Sequence, residues 1–374
     1  MRIGLICPYS LTLPGGVQGQ VLGLARVLRA MGHPTRVLGP CDGPPPDAGV
    51  TPLGDSLPTA ANGSMAPIAP DVPCALRTIR ALRDEEFDVL HLHEPLAPGP
   101  TTTALFLAQS PMVGTFHAAG GSLAYDLLNR PVRWLSRRMD RMFAVSDDAA
   151  AMARDSLGGE YEVLFNGVEV QRSRRVAPWP TEGPTVFFIG RHEPRKGLAV
   201  LLDAMAGLGS DVRLWVAGDG PETDELRARV AGDVRIQWLG RISDEERTAR
   251  IRGAHVFCAP SLRGESFGVV LLEGMACDTP VVASDIGGYA KVARGGDDAL
   301  LVPAGDAEAL GAAIAKVLAD PVLADRLVAS GRERAEEFSM RRLADRYLEA
   351  YASVLNTPVS GERAYHSGRS SGPG

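Results

Sequence analysis

The sequence predicts an α/β fold with two doubly wound, parallel-sheet domains that face a central cleft. The chain has 374 residues, of which 45% are hydrophobic and 22% charged, and this is enough for two domains with separate cores. Short β-rich runs alternate with helical patterns, as they do in parallel βαβ units. The alternation pauses after residue 170 and restarts near residue 180, so we predict one domain over 1–170 and a second over 180–339.

The first half carries the runs expected of a right-handed βαβ series. It begins with the strand-like "RIGLIC", which is followed by the helical pattern "VLGLARVLRAMGH". The chain continues through "RVLG", "FDVLHLHE", "TTALFLAQ", "MVGTFH", "MFAVSD" and "DAAAMARDSL". Together these runs predict the first parallel sheet and its covering helices.

The second half opens with "NGVEVQRSRRVAPWPTEGP", which is basic and then contains prolines, as is typical of a linker. A second sheet is predicted by "TVFFIG", "GLAVLLDAMAGL", "VRLWVAGDG", "ELRARV", "VRIQWLG" and "HVFCAPS". Residues 307–350 are mainly helical in pattern. Residues 357–374 have too few apolar side chains to pack, which predicts a disordered tail.

Charge and cysteine content exclude several classes of protein. The 39 Lys and Arg against 45 Asp and Glu give a net charge of -6, which argues against a nucleic-acid binder with a broad cationic surface. The five cysteines are scattered and lack the close pairing of a zinc or redox site, which predicts reduced thiols. With no leader-like start and no apolar run of bilayer length, we expect a cytoplasmic protein, soluble or peripheral to a membrane.

Loops after the predicted strands carry glycines and cations. In such sheets ligands bind outside the carboxyl ends of the strands. "PGGVQ" opens a helix, so Gly15 and Gly16 would let a phosphate approach the backbone, although a simple turn is the alternative. Arg191 and Lys196 in "FFIGRHEPRKG" follow a buried strand and would hold a diphosphate; the alternative is a pair of solvated charges.

Histidines end two of the predicted strands. His117 closes "VGTFH", where an imidazole would hydrogen-bond a sugar hydroxyl or take part in proton transfer, unless its role is structural. His91 and His93 alternate in "LHLHEP" beside Glu94, a spacing that permits a metal site. We favour a structural histidine pair over a metal site.

Two glutamates interrupt the apolar stretch "PSLRGESFGVVLLEGMACDTPVVAS". A carboxylate that leaves water needs an ionic or hydrogen-bonding partner, so salt bridges or a polar ligand must be present. We predict Glu265 at the entrance of a helix and Glu273 about two turns along it. A nucleotide sugar offers hexose hydroxyls to Glu265 and ribose hydroxyls to Glu273.

The motifs "PGGVQ", "GTFH", "NGVE", "GRHEPRKG", "GESFGVVLLEGMA" and "PVVASDIGG" occur in this order over about residues 1–355 and resemble family 4 of the retaining GT-B glycosyltransferases. GT-B enzymes have two Rossmann-like domains. "MRIGLICPYSLTLPGGVQ", "FDVLHLHEP" and "CAPSLRGESFGVVLLE" are most similar to the actinobacterial phosphatidyl-myo-inositol mannosyltransferases of that family. These move mannose from GDP-mannose to the inositol ring of phosphatidylinositol at the inner membrane face.

The resemblance implies roles for individual residues. It implies front-face attack assisted by the leaving phosphate, no metal or other cofactor, and a last helix, about 340–356, that packs on the first domain. The implied catalytic residues are His117, Arg191, Lys196 and Glu265; the implied donor contacts are Gly16, Arg191, Lys196, Glu265, Ser266, Phe267, Gly268 and Glu273; the implied acceptor contacts are Tyr9, Gln18 and Asn62.

Several alternatives remain open at this point. Pro67 stands where those mannosyltransferases have an arginine, and "AAGGS" after His117 lacks their hydroxyl-rich loop, so another nucleotide sugar with a soluble or different lipid-linked acceptor is the second hypothesis. A nucleotide-sugar epimerase and a non-enzymatic sensor are the third and fourth. "CALRTIRALRDEEF" is either a basic amphipathic membrane helix or a helix with an apolar stripe facing the core, and the arginines at 130–141 allow the same two interpretations.

Overall fold

The computed structural model describes residues 1–61, 64–107, 109–117, 129–265 and 267–356. These residues form two compact units, the first made of Met1–Gly167 with the last helix and the second of Val168–Ser339. The predicted disordered tail, 357–374, lies outside the described residues. Each unit has its own parallel sheet, as the repeated strand and helix rhythm predicts.

The first unit is built on a sheet to which the described residues contribute seven strands, in the order β3-β2-β1-β6-β7-β8-β9, with every neighbouring pair parallel. A separate antiparallel hairpin, β4–β5, had no counterpart in the sequence prediction. The elements are β1 Ile3–Ile6, α1 Gly16–Ala30, β2 Thr35–Gly39, β3 Val50–Pro52, β4 Leu57–Ala61, β5 Ser64–Ile68, α2 Val72–Glu85, β6 Val89–His93, α3 Pro100–Leu107, β7 Met112–Phe116, α4 Asn129–Ser136, β8 Arg141–Ala144, α5 Asp147–Leu157 and β9 Glu162–Val163.

Alternation along β1 divides the first core between the two faces of the sheet. Ile3 and Leu5 pack with α1 and the last helix, whereas Ile6 packs with residues of α2 and α3 on the other face. β6 and β7 are buried along their whole length, and this includes the polar residues His91, His93 and Thr115. The carboxyl ends of β1, β6 and β7 therefore meet at one edge of the sheet.

The second unit has a sheet that contains six strands of the described residues, in the order β12-β11-β10-β13-β14-β15, again all parallel. Its elements are α6 Val170–Arg175, β10 Thr185–Ile189, a 3-10 turn Pro194–Lys196, α7 Leu198–Ala204, a 3-10 turn Met205–Gly207, β11 Arg213–Ala217, α8 Thr223–Arg229, β12 Ile236–Gly240, α9 Asp244–Gly253, β13 Val256–Ala259, α10 Val269–Ala276, β14 Val281–Asp285, α11 Gly287–Ala290, β15 Leu300–Pro303, α12 Ala307–Ala319 and α13 Pro321–Glu337. The last helix, α14, is Met340–Asn356 and belongs to the first unit.

The stretch predicted to be a linker is partly helical and is packed on the second unit. Arg174 of α6 makes an ion pair with Glu336 at 2.8 Å. Farther along, the guanidinium of Arg250 lies 4.2 Å from the ring centre of Trp179. Arg174 is thus held by an acidic residue and Trp179 by an arginine of the same unit, and residues 170–175 form a helix where the sequence had predicted a linker.

Within the described part of the chain, every helix is too short or too polar to cross a bilayer. All five cysteines are buried and unbridged.

Candidate active site

Lys196 and Glu265 form an ion pair at the carboxyl edge of the second sheet. Lys196 ends the 3-10 turn that follows β10, and Glu265 lies in the loop that follows β13, the strand beside β10. The Lys196 Nζ is 2.5 Å from Glu265 Oε1. Gly197 has φ 68°, and a methyl group there would collide with the Pro260 carbonyl, so only glycine lets the two loops pack this closely.

Glu265 is held by a chain of hydroxyl groups as well as by the lysine. The Ser261 hydroxyl donates to Glu265 Oε1 at 3.2 Å, and the buried Tyr289 hydroxyl donates to Ser261 at 2.9 Å. Arg195 Nη1 lies 3.7 Å from the same carboxylate oxygen. The side chain of Glu265 is 14% exposed, so these partners replace the water it loses.

Glu273 has a separate cationic partner. It lies one turn into α10, and its Oε1 is 3.5 Å from Arg247 Nη2 of α9. The negative charge of Glu273 is the main reason that the pKa of Arg247 is raised. The prediction that Glu273 lies two turns along the helix was wrong, because the helix begins only at Val269, four residues before Glu273. Both glutamates thus have the salt-bridge partners that burial requires.

The remaining residues predicted to contact a donor differ in how far they are exposed to solvent. The Arg191 side chain is 59% exposed, and its Nε lies 4.0 Å from Glu193. Phe267 is buried with its ring against Phe338, and Gly268, at φ 88°, is the N-cap residue that precedes α10. Ser266 lies outside the described residues.

In the first unit the structure brings together three histidines. His93 Nδ1 and His117 Nε2 are 2.9 Å apart, and the rings of His91 and His93 stack with centres 4.2 Å apart. His91 hydrogen-bonds Thr115 and Tyr351, both at 2.7 Å. The described residues contain no group of three or more His, Cys, Asp or Glu side chains that is arranged to hold a metal ion. Both ring nitrogens of His91 are thus hydrogen-bonded to protein side chains, whereas His93 contacts the predicted sugar-binding histidine.

Burial keeps the three imidazoles neutral. It lowers the pKa of His91 to about 3 and the pKa of His117 to about 4. The pKa of His93 is also well below its usual value, because of burial first and then because of its two histidine neighbours. At neutral pH His117 is consequently a hydrogen-bonding group without charge.

The first unit is expected to lose stability as the pH falls from about 6.5 towards 4. The unfolded chain protonates these histidines near 6.5 and the folded chain does so only at lower pH, so the unfolded state binds more protons in this window. Three groups give a slope of at most about 4 kcal/mol per pH unit. Hydrogen exchange of the β6 amides in urea, measured from pH 8 to 5, checks the expectation. His91→Gln should reduce the slope by about one proton, and a flat profile from pH 7 to 5 would contradict it.

The loop after β1 carries the predicted acceptor contacts. Gln18 is buried in the first turns of α1, and its Nε2 donates to the Ser10 carbonyl at 3.3 Å. Tyr9 forms a bridge to Ile68 of β5. Gly16 is the first residue of α1, where an added methyl group would meet nothing within 4 Å, so its backbone is open to approach. Asn62 lies outside the described residues.

The sequence analysis did not identify the residues that hold Glu265 and Glu273 in place. Arg195, Ser261 and Tyr289 surround Glu265, and Arg247 pairs with Glu273. Ser261 and Arg195 stand in the loops already singled out, and an unpaired carboxylate in an apolar run is a signal to search those loops for partners.

Two family models cover most of the chain. The model described as Glycosyltransferase Family 4 matches residues 14–172, and the model described as Glycosyl transferases group 1 matches residues 169–334. The chain is 41% identical over 370 residues to a phosphatidyl-myo-inositol mannosyltransferase of Mycobacterium leprae, covering 96% of this chain and 98% of that one. It is 40% identical to the protein of the same name from Mycolicibacterium smegmatis, covering 96% and 95%.

Solved structures with the same architecture are more distant in sequence. Sucrose-phosphate synthase from Thermosynechococcus elongatus superposes with a TM-score of 0.71 at 22% identity, covering 95% of this chain and 99% of that one. HepE of Anabaena, solved in complex with UDP, gives a TM-score of 0.69 at 19% identity and covers 94% and 100%. At these identities the likeness concerns the fold alone.

Proposed function

This chain belongs to glycosyltransferase family 4, and from that premise we propose that it transfers a mannosyl group to phosphatidyl-myo-inositol. The predicted GT-B fold class is confirmed by the two parallel sheets and by the solved glycosyltransferases that superpose on them. The observation that carries the proposal is 41% identity, over 96% of the chain, to an enzyme named for this reaction. The chain is thus a glycosyltransferase.

We propose that the second unit binds the donor, GDP-mannose. The diphosphate needs cations, and the loop from 191 to 196 carries Arg191, Arg195 and Lys196 at the edge where such ligands bind. The ion pair uses Oε1 of Glu265; Oε2 has no hydrogen-bond partner among the described residues and is proposed to accept from a hexose hydroxyl. Glu273 is proposed to accept from the ribose.

For the reaction itself we propose retention without a metal. The acceptor oxygen attacks the anomeric carbon on the face from which GDP departs, and a leaving phosphate oxygen takes the proton of the attacking hydroxyl. Charge builds on the departing diphosphate, and cations already in place stabilise it without reorganising. Lys196 is fixed by Glu265 and is therefore positioned for this role before the donor arrives.

The acceptor is proposed to bind at the loop after β1, where Tyr9, Gln18 and Asn62 would contact the inositol phosphate. Pro67 lies beside this loop, because its carbonyl accepts from the Ser10 amide at 2.9 Å. Proline brings no positive charge to that place, and this observation favours the second candidate, transfer to an acceptor without a lipid phosphate. Both candidates use the donor site described above, and the acceptor separates them most directly.

The experiment that separates them supplies labelled GDP-mannose with phosphatidylinositol vesicles, phosphatidylglycerol vesicles or soluble inositol phosphate in parallel reactions. Label in phosphatidylinositol alone, absent with Glu265→Gln, supports the proposed acceptor. Label only in a soluble product supports the second candidate. Donor binding without transfer to any acceptor contradicts both, and an isomerised sugar formed from UDP-N-acetylglucosamine alone would indicate an epimerase.

We also propose that the first unit contacts the membrane surface peripherally. Leu76 of α2, Phe106 of α3 and Trp134 of α4 are 61%, 62% and 54% exposed. These helices adjoin one another, and the Phe106 and Trp134 rings lie 6.3 Å apart with Arg138 over Trp134. An aromatic pair beside arginine suits the interface of an anionic bilayer.

Replacing Phe106 and Trp134 together by serine is expected to weaken binding to anionic vesicles by about 10-fold or more, because two large apolar groups no longer enter the interface. Vesicle co-sedimentation measures the change. Val234→Ser is the matched control, since Val234 is 86% exposed and lies in the second unit. Equal binding by the double variant and the control would contradict the membrane proposal.

A further inference from the structure

We propose that His93 is a positioning residue for glycosyl transfer, because it holds the His117 imidazole in the tautomer whose Nδ1 carries the proton and can donate it in a hydrogen bond. The inference rests on the proposed function, in which His117 contacts the transferred hexose. It assigns a role to a buried histidine that sequence reasoning considered only as a structural group or a metal ligand.

The contact between the two rings requires one donor and one acceptor. His93 Nδ1 and His117 Nε2 are 2.9 Å apart, which is a hydrogen-bond distance. Burial keeps both imidazoles neutral, so each ring carries one proton. The proton in the contact therefore belongs either to His93 Nδ1 or to His117 Nε2.

The other nitrogen of His93 decides between these two arrangements. His93 is 2% exposed, and its Nε2 is buried with no hydrogen-bond partner among the described residues. A proton on Nε2 would leave a buried N–H unpaired, which is the rarer and more costly kind of unsatisfied group. The proton consequently sits on His93 Nδ1, which donates to His117 Nε2.

This arrangement determines what His117 offers to a ligand. With Nε2 accepting, the single proton of His117 is on Nδ1, which has no hydrogen-bond partner among the described residues. The His117 backbone is fixed as well, since its amide donates to Glu94 Oε1 at 2.7 Å. His117 is thus set to donate a hydrogen bond to a hexose oxygen.

The His93 ring is also held in place by its contact with His91. Its ring stacks on His91, which is held by Thr115 of β7 and by Tyr351 of α14. The row of three rings therefore runs from the last helix to the predicted sugar contact. Residues that hold a reacting group in place prevent the small displacements that would slow transfer.

The test compares His93→Asn with His93→Leu. The asparagine amide can donate from about the place of Nδ1, so this variant should keep activity within about fivefold of wild type. His93→Leu cannot donate and should lower kcat by about 10²-fold with little change in donor KM. In the variant His117→Ala, adding His93→Leu should cost nothing further, because the two residues act as one unit.

An NMR measurement of the histidine tautomers tests the assignment without depending on activity or on the identity of the acceptor. Long-range ¹⁵N–¹H spectra of the imidazoles should show the Nδ1–H tautomer for His117 in wild type and in His93→Asn, and a change of tautomer in His93→Leu. The Nε2–H tautomer in wild type, or equal activity of the asparagine and leucine variants, would overturn the assignment. If wild type shows the Nδ1–H tautomer but transfers no mannose, the proposed function fails and not the hydrogen-bond assignment.

Discussion

Lys196→Met is expected to lower kcat/KM for mannosyl transfer by about 10³-fold. The substitution removes the cation that is proposed to stabilise the departing diphosphate. It also removes the Nζ that lies 2.5 Å from Glu265, so a carboxylate that is 14% exposed loses its main ionic partner. The proposed sugar contact and the proposed phosphate contact are therefore lost together, and donor binding measured by calorimetry should weaken as well.

Two further variants show whether charge or position matters at this site. Lys196→Arg keeps the charge but carries a planar fork in place of a compact ammonium group, so we expect intermediate activity. Lys316→Met removes an exposed lysine from α12 and should leave the rate unchanged. Wild-type turnover by Lys196→Met, with its fold intact, would remove Lys196 from the mechanism.

Gly288→Ala is expected to lower kcat/KM by about 10²-fold and to destabilise the second unit by about 1–3 kcal/mol. A methyl group at Gly288 would lie far inside contact distance of the Glu265 carbonyl group, which is backbone and cannot turn aside. The loop that carries Glu265 must then shift, and its carboxylate would move away from Lys196 and Ser261. Thermal unfolding and steady-state kinetics measure the two effects separately.

The neighbouring glycine provides the control. Gly287 belongs to the same short helix, and a methyl group there would meet nothing within 4 Å. Neither glycine has a positive φ, so both positions tolerate alanine as far as the backbone is concerned. Gly287→Ala should therefore be neutral or slightly stabilising. Equal effects of the two substitutions would falsify the steric explanation.

Local patterns were sufficient to predict most of the sheets. Strand-like runs such as "FDVLHLHE" and "TVFFIG" became buried strands, because a strand covered on both faces needs mainly apolar residues. The hairpin β4–β5 was not predicted, since its strands contain prolines and show no clear alternation. The segment after Val168 was mistaken for a linker because Asp278 and Glu336, the partners of its Arg174, lie about 100 residues or more away in the chain.

The site was predictable in its main residues and not in their partners. Glu265 and Glu273 stood out because carboxylates are costly in an apolar run. Their partners Lys196 and Arg247 lie 69 and 26 residues upstream, and only the fold brings them close. His93 was undervalued for the same reason, because its hydrogen bond to His117 depends on the register of β6 against β7.

The first unit is closed by α14, whose Tyr351 supplies a hydrogen bond to the buried His91. On the ribosome, this helix is made only after the whole of Val168–Ser339, so the second unit is complete in sequence before the first. A nascent chain ending at residue 167 leaves the α1 face of the core, including Leu24 and Leu28, without its cover. The second unit can therefore be complete while the first still lacks α14, and the α1 face of the first core stays uncovered until Met340–Asn356 has been synthesised.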